Sequence, residues 1–83
     1  MDGREIAMLV SAFINDSKCA IARRPYGGLW GDDFTTMKGL EARGYLQFRS
    51  CHHDPFNKDF IRRSEITDSG HAALRRECVT AAE

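Results

Sequence analysis

Residues 36–46 read TMKGLEARGYL and residues 66–74 read ITDSGHAAL, and these two stretches decide the fold that the sequence predicts. In the first, a helical spacing of apolar residues ends, and Gly44 suits the left-handed position just past a helix terminus. In the second, Thr67 or Asp68 suits the cap of a helix that begins where an apolar strand ends. The stretches therefore predict one helix-to-strand junction and one strand-to-helix junction.

The N-terminal segment predicts a helix over residues 3–15. Its apolar side chains recur at helical spacing and form one stripe: Ile6, Leu9, Val10, Phe13 and Ile14. The helix is expected to end at residues 15–17, whose Asn, Asp and Ser side chains compete with the helix backbone. A short strand over residues 19–23 precedes residues 23–31, which hold too many glycines and a proline for more than about one helical turn.

Residues 33–44, DFTTMKGLEARG, predict a second helix capped by Asp32 or Asp33. Its spacing places Phe34, Met37 and Leu40 on the inner side and these residues on the outer side: Thr35, Lys38, Gly39, Ala42 and Arg43. Gly39 costs roughly 1 kcal/mol in a helix interior. We therefore expect another backbone, from this chain or from a partner, to approach it closely.

A β-hairpin is predicted after Gly44. Residues 45–50 alternate as a strand with Leu46 and Phe48 on one face, and residues 60–66 form its partner. Residues 51–59 are expected to be a polar connection in which Asp54 starts a turn and Asn57 has a positive φ. A last helix follows through Glu77 or a little beyond, with these residues on its inner side: His71, Leu74, Cys78 and Ala81.

Taken together, the two stretches resemble the junctions of a winged-helix domain, where the recognition helix ends, the wing begins and the wing closes. The resemblance covers residues 34–79. It implies an α+β fold with helices packed on a small antiparallel hairpin sheet, as one domain over residues 1–83. Residues 23–31 depart from the family pattern because they replace the helix that crosses the DNA backbone. We expect Leu29 and Trp30 to fill that space.

Composition limits the function classes. The chain has 83 residues, of which 42% are hydrophobic and 29% charged, as in a single globular domain. Its 12 basic and 12 acidic residues argue against a strongly basic nucleic-acid binder and favour a protein partner, without excluding DNA. The three cysteines are too few and too widely spaced for a disulfide scaffold, and no stretch approaches the ~20 apolar residues of a membrane span. A cytoplasmic location is expected.

The resemblance implies a small non-catalytic regulator that acts on DNA or a nucleoprotein complex, a type common in phages and mobile elements. The candidate nucleic-acid or partner-binding residues lie on the second helix and the hairpin: Thr35, Lys38, Arg43, Arg49, Lys58, Arg62 and Arg63. Because Arg62 and Arg63 are neighbours in a strand, only one of them can lie on the outer face with Arg49. The alternative for the arginines is a set of solubilising charges matched by nearby carboxylates.

The rival hypothesis is a phage-type inhibitor or adaptor that docks on a host defence or transcription complex without binding DNA. It uses a different set of candidate residues, in and before the glycine-rich connection: Arg23, Arg24, Tyr26 and Trp30. It predicts an apolar, partly exposed patch around residues 25–34. Under either hypothesis, the amphipathic helices at the two ends favour a homodimer.

Residues 51–54, Cys-His-His-Asp, are the densest group of potential metal ligands. A tetrahedral zinc site usually takes two separated pairs of ligands, and here there is one local group. We expect these residues to be an exposed loop, with no metal, cofactor or small-molecule substrate. No serine stands in a nucleophile elbow, and His71 lies on an apolar helix side. An enzyme is therefore not predicted.

Overall fold

A computed structural model of the chain describes residues 1–82, with side chains described through residue 78. The elements, in chain order, are α1 (Gly3–Ile14), β1 (Cys19–Arg24), α2 (Asp32–Ala42), β2 (Leu46–His53), β3 (Phe60–Ile66) and α3 (Asp68–Ala82). The strands form an antiparallel sheet in the order β1-β3-β2. The predicted α+β class, with helices packed on a small antiparallel sheet, is confirmed.

Helix α1 begins with a capping box that the sequence interpretation missed. The Asp2 carboxylate accepts from the backbone amide of Glu5 at 2.9 Å, and the Glu5 carboxylate accepts from the Asp2 amide at 3.0 Å. The predicted apolar stripe is only partly buried: Leu9 lies in the core, but Ile14 is 72% exposed.

The predicted N-cap of α2, Asp32 or Asp33, is wrong. Gly31 occupies the N-cap position without a side-chain cap. Asp32 and Asp33 lie within the first helical turn, where their carboxylates interact favourably with the positive end of the helix dipole. Gly44, with a φ of 80°, follows the helix in the left-handed conformation as expected. No described atom of this chain approaches the position of a Gly39 Cβ within 4 Å, so the expected close backbone contact does not come from this chain.

Strand β2 is longer than predicted and includes residues 51–53, which were expected to belong to a loop. Strand β3 is long enough to pair with them as far as His53, and a bulge at Arg49 absorbs one extra residue. Asp54 does start the turn, but the positive φ is at Lys58, at 61°, and not at Asn57. The backbone amide of Lys58 donates to the Asp54 carbonyl at 2.7 Å, which fixes that geometry.

The junction between β3 and α3 is a tight corner. The Thr67 hydroxyl donates to the Gly44 carbonyl at 2.6 Å and accepts from the Gly70 amide at 3.0 Å, so Thr67 caps α3. At Gly70 a Cβ would collide with the Tyr45 carbonyl oxygen and lie 2.8 Å from Ile66 Cγ1. The glycine therefore permits the first turn of α3 to lie directly on the chain that leaves α2.

The core lies between the inner side of the sheet and the three helices. Its buried members come from all three helices and all three strands: Leu9, Ala12, Ala20, Ala22, Met37, Leu40, Leu46, Ile66 and Leu74. Leu74 confirms the predicted inner side of α3, but Cys78 is exposed, and the Ala81 side chain lies outside the described residues. Ala73, one position before Leu74, is buried in addition.

Candidate functional site

The two faces of the sheet have different surroundings. On β3, Arg62, Ser64 and Ile66 are buried on the face that packs against the helices, which is referred to below as the inner face. Arg63 and Glu65 are partly exposed on the opposite, outer face. This alternation answers the question that the sequence left open: of the paired arginines, Arg63 lies on the outer face and Arg62 does not.

Arg62 takes part in a nearly buried polar network with α2. Its guanidinium binds both carboxylate oxygens of Glu41, at 2.9 Å for Nη2 to Oε1, and the Ser64 hydroxyl donates to the same carboxylate. The guanidinium carbon lies 4.6 Å from the ring centroid of Phe48 and 5.5 Å from that of Phe34. With only 9% of its surface exposed, Arg62 is not available to a partner, so it leaves the predicted binding set.

The Glu41 carboxylate remains ionised in this network. Hydrogen bonds from the Arg62 guanidinium hold the pKa of Glu41 below its ordinary value, against the opposing effect of burial. The same contact raises the pKa of Arg62. The sequence interpretation placed Glu41 on neither helix side and missed it. Glu41 lies three residues after Lys38, which was placed on the outer side. Nothing in the local sequence indicated that the Glu41 carboxylate would turn toward the sheet.

Arg24 lies against aromatic rings at the other end of the inner face. Its guanidinium carbon is 4.3 Å from the ring centroid of Phe60 and 5.8 Å from that of Trp30, and its Nη1 donates to the Gly28 carbonyl at 3.1 Å. The buried Nε has no hydrogen-bond partner among the described residues. Arg24 therefore holds the glycine-rich connection against the sheet. Its guanidinium contacts two aromatic rings and one carbonyl, and no carboxylate among the described residues pairs with it.

Leu29 and Trp30 of the glycine-rich connection were both expected to pack inward, and Trp30 does so. It stacks on Phe34, with ring centroids 4.8 Å apart, and packs against the core. Leu29, however, is 89% exposed, so the expectation that it fills the place of a missing helix is wrong. A cleft of about 440 Å³ lies between α1, β1 and the start of α2, where Arg4 and Asp32 are 3.4 Å apart.

The cations on the outer side of α2 are tied to carboxylates. Arg43 lies 2.8 Å from Glu5 on α1, and Lys38 lies 3.9 Å from Glu41. Thr35 is exposed, with its hydroxyl near the Gly31 carbonyl at 3.4 Å. The predicted recognition side thus offers one hydroxyl and two cations: Arg43, which is paired with Glu5, and Lys38, which lies near a carboxylate that Arg62 already binds.

The hairpin is different. Arg49 on β2 is paired with Glu65 on the outer face, and this contact raises the pKa of Arg49. Arg63 and Lys58 have no carboxylate within ion-pair distance among the described residues. The hairpin therefore carries two cations whose charge no described carboxylate matches.

The turn between β2 and β3 is held by Asp54. Its carboxylate accepts from the Phe56 amide at 2.9 Å and from the Asn57 side-chain amide at 3.1 Å, and the first of these contacts lowers the pKa of Asp54. The backbone amide of Asp54 donates to the Asp59 carbonyl at 2.7 Å. The backbone hydrogen bond closes the base of the turn, and the Asp54 carboxylate stabilises its interior.

The turn and the glycine-rich connection leave the sheet at the same end. Arg24, the last residue of β1, pairs with Phe60, the first residue of β3, which also pairs with the last residue of β2. Three of the most exposed large apolar side chains of the described chain lie in these two segments, and this set, with the adjacent cation, is referred to as the tip surface: Tyr26, Leu29, Phe56 and Lys58. The sequence pointed to Tyr26 and Lys58 but missed Leu29 and Phe56. Phe56 lies inside the turn sequence DPFN, and an apolar residue within such a turn sequence is expected to have an exposed side chain.

The geometry bears on two further predicted features. Pairing with β3 places Cys51 and His53 on the inner face and His52 on the outer face, and no three potential metal ligands come together among the described residues. Arg23, predicted as partner-binding, lies 3.7 Å from Asp59.

An apolar groove of about 500 Å³ runs between α1 and α3, lined by Phe13, Ile14 and Leu74 among others. None of the described helices has the length and hydrophobicity to cross a membrane.

No known protein family, curated protein or solved structure matches this chain in sequence or structure comparison.

Proposed function

We propose that this chain is a winged-helix-like, non-catalytic binding domain whose ligand is duplex DNA, contacted mainly through the β2–β3 hairpin. The observation that carries the proposal is the distribution of matched charge. Lys58 and Arg63 on the hairpin have no carboxylate partner among the described residues, whereas Lys38 and Arg43 on α2 each have one. A cation that is not already matched is the one that gains most from a phosphate.

The connectivity supports the winged-helix part of the proposal. A helix passes through Gly44 directly into a long hairpin, and β3 of that hairpin lies between β2 and β1. This order agrees with the junctions on which the sequence resemblance rests. The Glu41–Arg62 ion pair joins α2 to β3, so α2 and the hairpin present their outer surfaces in a fixed relation.

The zero net charge limits the affinity that this proposal permits. Phosphate contacts release condensed counterions, and each contact contributes to the salt dependence of binding. With two unmatched cations on the hairpin, binding is expected to be weak, and the slope of log affinity against log salt is expected to be only about two in magnitude. Sequence discrimination by α2 is not expected from matched cations, because a forked contact to a base requires an available guanidinium.

The test is fluorescence anisotropy of a labelled duplex over a range of salt concentrations. Lys58→Ala and Arg63→Ala are each expected to lower the slope of log affinity against log salt by about one. Arg4→Ala is the matched control, because it removes the same charge from an exposed position of α1, where Asp32 lies 3.4 Å from the guanidinium. The proposal fails if the duplex is bound no tighter than about 10⁻⁴ M at low salt, or if the control lowers the slope as much as the hairpin variants do.

A second candidate function is docking on a protein complex, favoured by the exposure of Tyr26 and Leu29. They are 74% and 89% exposed on a connection that Arg24 and Trp30 hold against the sheet. Aromatic and aliphatic side chains on a braced loop are typical anchors of protein interfaces. Under this alternative the chain acts as an inhibitor or adaptor of a host defence or transcription complex.

Affinity capture of the tagged chain from its native cell, with and without nuclease, separates the two functions. Nuclease-resistant capture that Tyr26→Ala abolishes, without a change in thermal unfolding, supports the protein partner. Capture that survives both Tyr26→Ala and Arg49→Ala contradicts it. Capture that nuclease removes supports the DNA ligand.

A further inference from the structure

Strand β1 is at one edge of the sheet, and its unpaired side, referred to as the free edge, lies in the cleft beside α1 and the start of α2. In the order β1-β3-β2, β1 pairs with β3 alone among the described strands. The cleft is lined by Ala20, which pairs with Ser64 on the inner face, and by Ile21, which pairs with Arg63 on the outer face. Because neighbouring residues of a strand point to opposite faces, a cleft that reaches both reaches the strand edge between them.

The hydrogen-bond register directs backbone groups of β1 toward this free edge. The Ile66 amide donates to the Lys18 carbonyl at 2.9 Å, and bonded pairs of an antiparallel ladder alternate with pairs that are not bonded. Continued along the register, this alternation turns the amides and carbonyls of Cys19, Ile21 and Arg23 away from β3. Among the described residues, the amide and carbonyl of Ile21 have no hydrogen-bond partner at the free edge.

The cleft has an excess of negative charge. Asp32 lies 3.4 Å from Arg4, which is the one described cation that lines the cleft. Asp33 also lines it and has no cation within ion-pair distance among the described residues. The cations at the two ends of β1 have partners of their own: Lys18 with the Phe13 carbonyl and Arg23 with Asp59. The unmatched charge of the cleft is therefore an acid, and a basic side chain complements it.

We propose that the cleft binds an extended peptide segment of a partner protein, which adds to β1 as a further strand and places a lysine or arginine beside Asp33. A row of unpaired backbone amides and carbonyls is a template for a strand, which gains affinity from the backbone and specificity from its side chains. The other edge of the sheet is a poorer template, because the bulge at Arg49 interrupts the register of β2. The inference does not depend on DNA binding, since the cleft lies outside the β2–β3 hairpin.

The test is selection by the immobilised chain from a synthetic pool of end-blocked pentapeptides, with lysine at the centre and β-branched or aromatic residues elsewhere. The matched pool has glutamate in place of lysine. Binders are expected from the lysine pool, with affinities about tenfold above those of the same sequences with glutamate. Asp33→Asn is expected to remove most of this difference. Asp16→Asn, which removes the same charge from an exposed position outside the cleft, should retain it.

Hydrogen exchange of the wild-type chain with a selected peptide locates the contact. The peptide is expected to slow exchange at the Ile21 amide by about tenfold or more, because that amide gains an acceptor. The Phe48 amide points to the free edge of β2 and should be unchanged. N-methylation of the peptide at one alternate set of residues should abolish binding, and at the other set should not, because only alternate amides of an added strand face β1.

The outcomes separate this inference from its rivals. No binder from either pool, equal capture from both pools, or protection at Phe48 instead of Ile21 overturns it. Protection of Ile21 that rises with protein concentration in the absence of peptide also overturns it, because a second copy then covers the edge. Absence of duplex binding overturns the DNA proposal alone. Thermal unfolding of Asp33→Asn and Asp16→Asn verifies that both variants are folded.

Discussion

Gly70 and Gly39 have opposite surroundings, although each lies in a helix. A Cβ on Gly70 would overlap the Tyr45 carbonyl and crowd Ile66, whereas a Cβ on Gly39 would meet no described atom within 4 Å. We expect Gly70→Ala to destabilise the fold by about 1–3 kcal/mol, because α3 must move off the chain beneath it. Gly39→Ala should stabilise it by about 0.5–1 kcal/mol, because alanine loses less backbone entropy in a helix.

Urea unfolding of the two alanine variants measures both effects with one substitution type. The comparison cancels any general effect of adding a methyl group to a helix. Equal shifts of the unfolding midpoint in the same direction would contradict the close approach at Gly70.

The buried pair between Glu41 and Arg62 predicts a loss of stability on neutralising the carboxylate. Glu41→Gln leaves the nearly buried Arg62 charge uncompensated, and we expect the free energy of unfolding at pH 7 to fall by about 3 kcal/mol. Glu65→Gln is the matched control, because its arginine partner is exposed and the change should be small. If Glu41→Gln is too unstable to measure, combining Glu41→Leu with Arg62→Met should restore most of the loss.

The same pair predicts a pH dependence. Arg62 holds the folded-state pKa of Glu41 below its ordinary value of 4.5. The stabilisation is therefore fully present above that ordinary value and is lost as the pH falls through the lowered pKa. Urea unfolding between pH 7 and pH 2 should show the wild type losing its advantage over Glu41→Gln in the acid range. A constant difference between the two proteins across this range would contradict the ion pair.

Single residues differ in how far their role follows from sequence. Gly44 was predicted at the end of α2, because a local conformation that other residues avoid can be inferred from its neighbours. Glu41 was not predicted to turn toward the sheet, because its partner lies 21 residues away in the chain and its helical position is next to the outer side. Long-range ion pairs leave no periodic signal in one sequence.

At the scale of the elements, the hairpin turn has one residue on which its order depends. Asp54→Ala removes the acceptor of the Phe56 amide and is expected to speed hydrogen exchange at the amides of Phe56 and Asn57. The amides of β3 should keep their protection, because the ladder with β1 and β2 does not use the Asp54 side chain. Asp54→Asn retains an acceptor oxygen and should fall between the two.

Unchanged exchange at Phe56 in Asp54→Ala would show that the apex is ordered without its carboxylate brace. Exchange that rises throughout β3 would show that the turn supports the whole hairpin. Either result would contradict the local role assigned to Asp54.

Element boundaries were predictable where turn residues stand next to clear periodicity, as at Thr67 and Gly44. They were not predictable in β2, where residues 51–53 are polar and have no strand signal. Their pairing is imposed by β3, which is seven residues long, and by the bulge at Arg49. A tertiary partner thus overrode local propensity, as it often does in strands.

At the scale of the whole molecule, the sequence predicted the class and the order of elements but not the distribution of exposed apolar surface. The apolar stripe of α1 implied a single buried side, yet Val10, Phe13 and Ile14 remain open beside α3. A helical stripe shows which residues share a side, and it does not show how much of that side the rest of a small domain can cover.

That uncovered side predicts a homodimer. The groove between α1 and α3 has a volume of about 500 Å³ and is lined largely by apolar side chains, and a second copy packed on it would remove them from water. Light scattering coupled to gel filtration is expected to give twice the chain mass for the wild type. Ile14→Glu places a charge on the groove at a site that is 72% exposed, so the fold should persist and the mass should fall to that of one chain.

Leu29→Glu is the matched control, because Leu29 is an equally apolar and even more exposed residue at the tip surface, in the connection between β1 and α2. It should leave the dimer intact if the groove is the contact between copies. A dimer that Leu29→Glu disrupts and Ile14→Glu does not would move the contact to the tip surface. A second copy would then cover the tip surface, and neither DNA nor a partner protein would have access to the tip surface in the dimer.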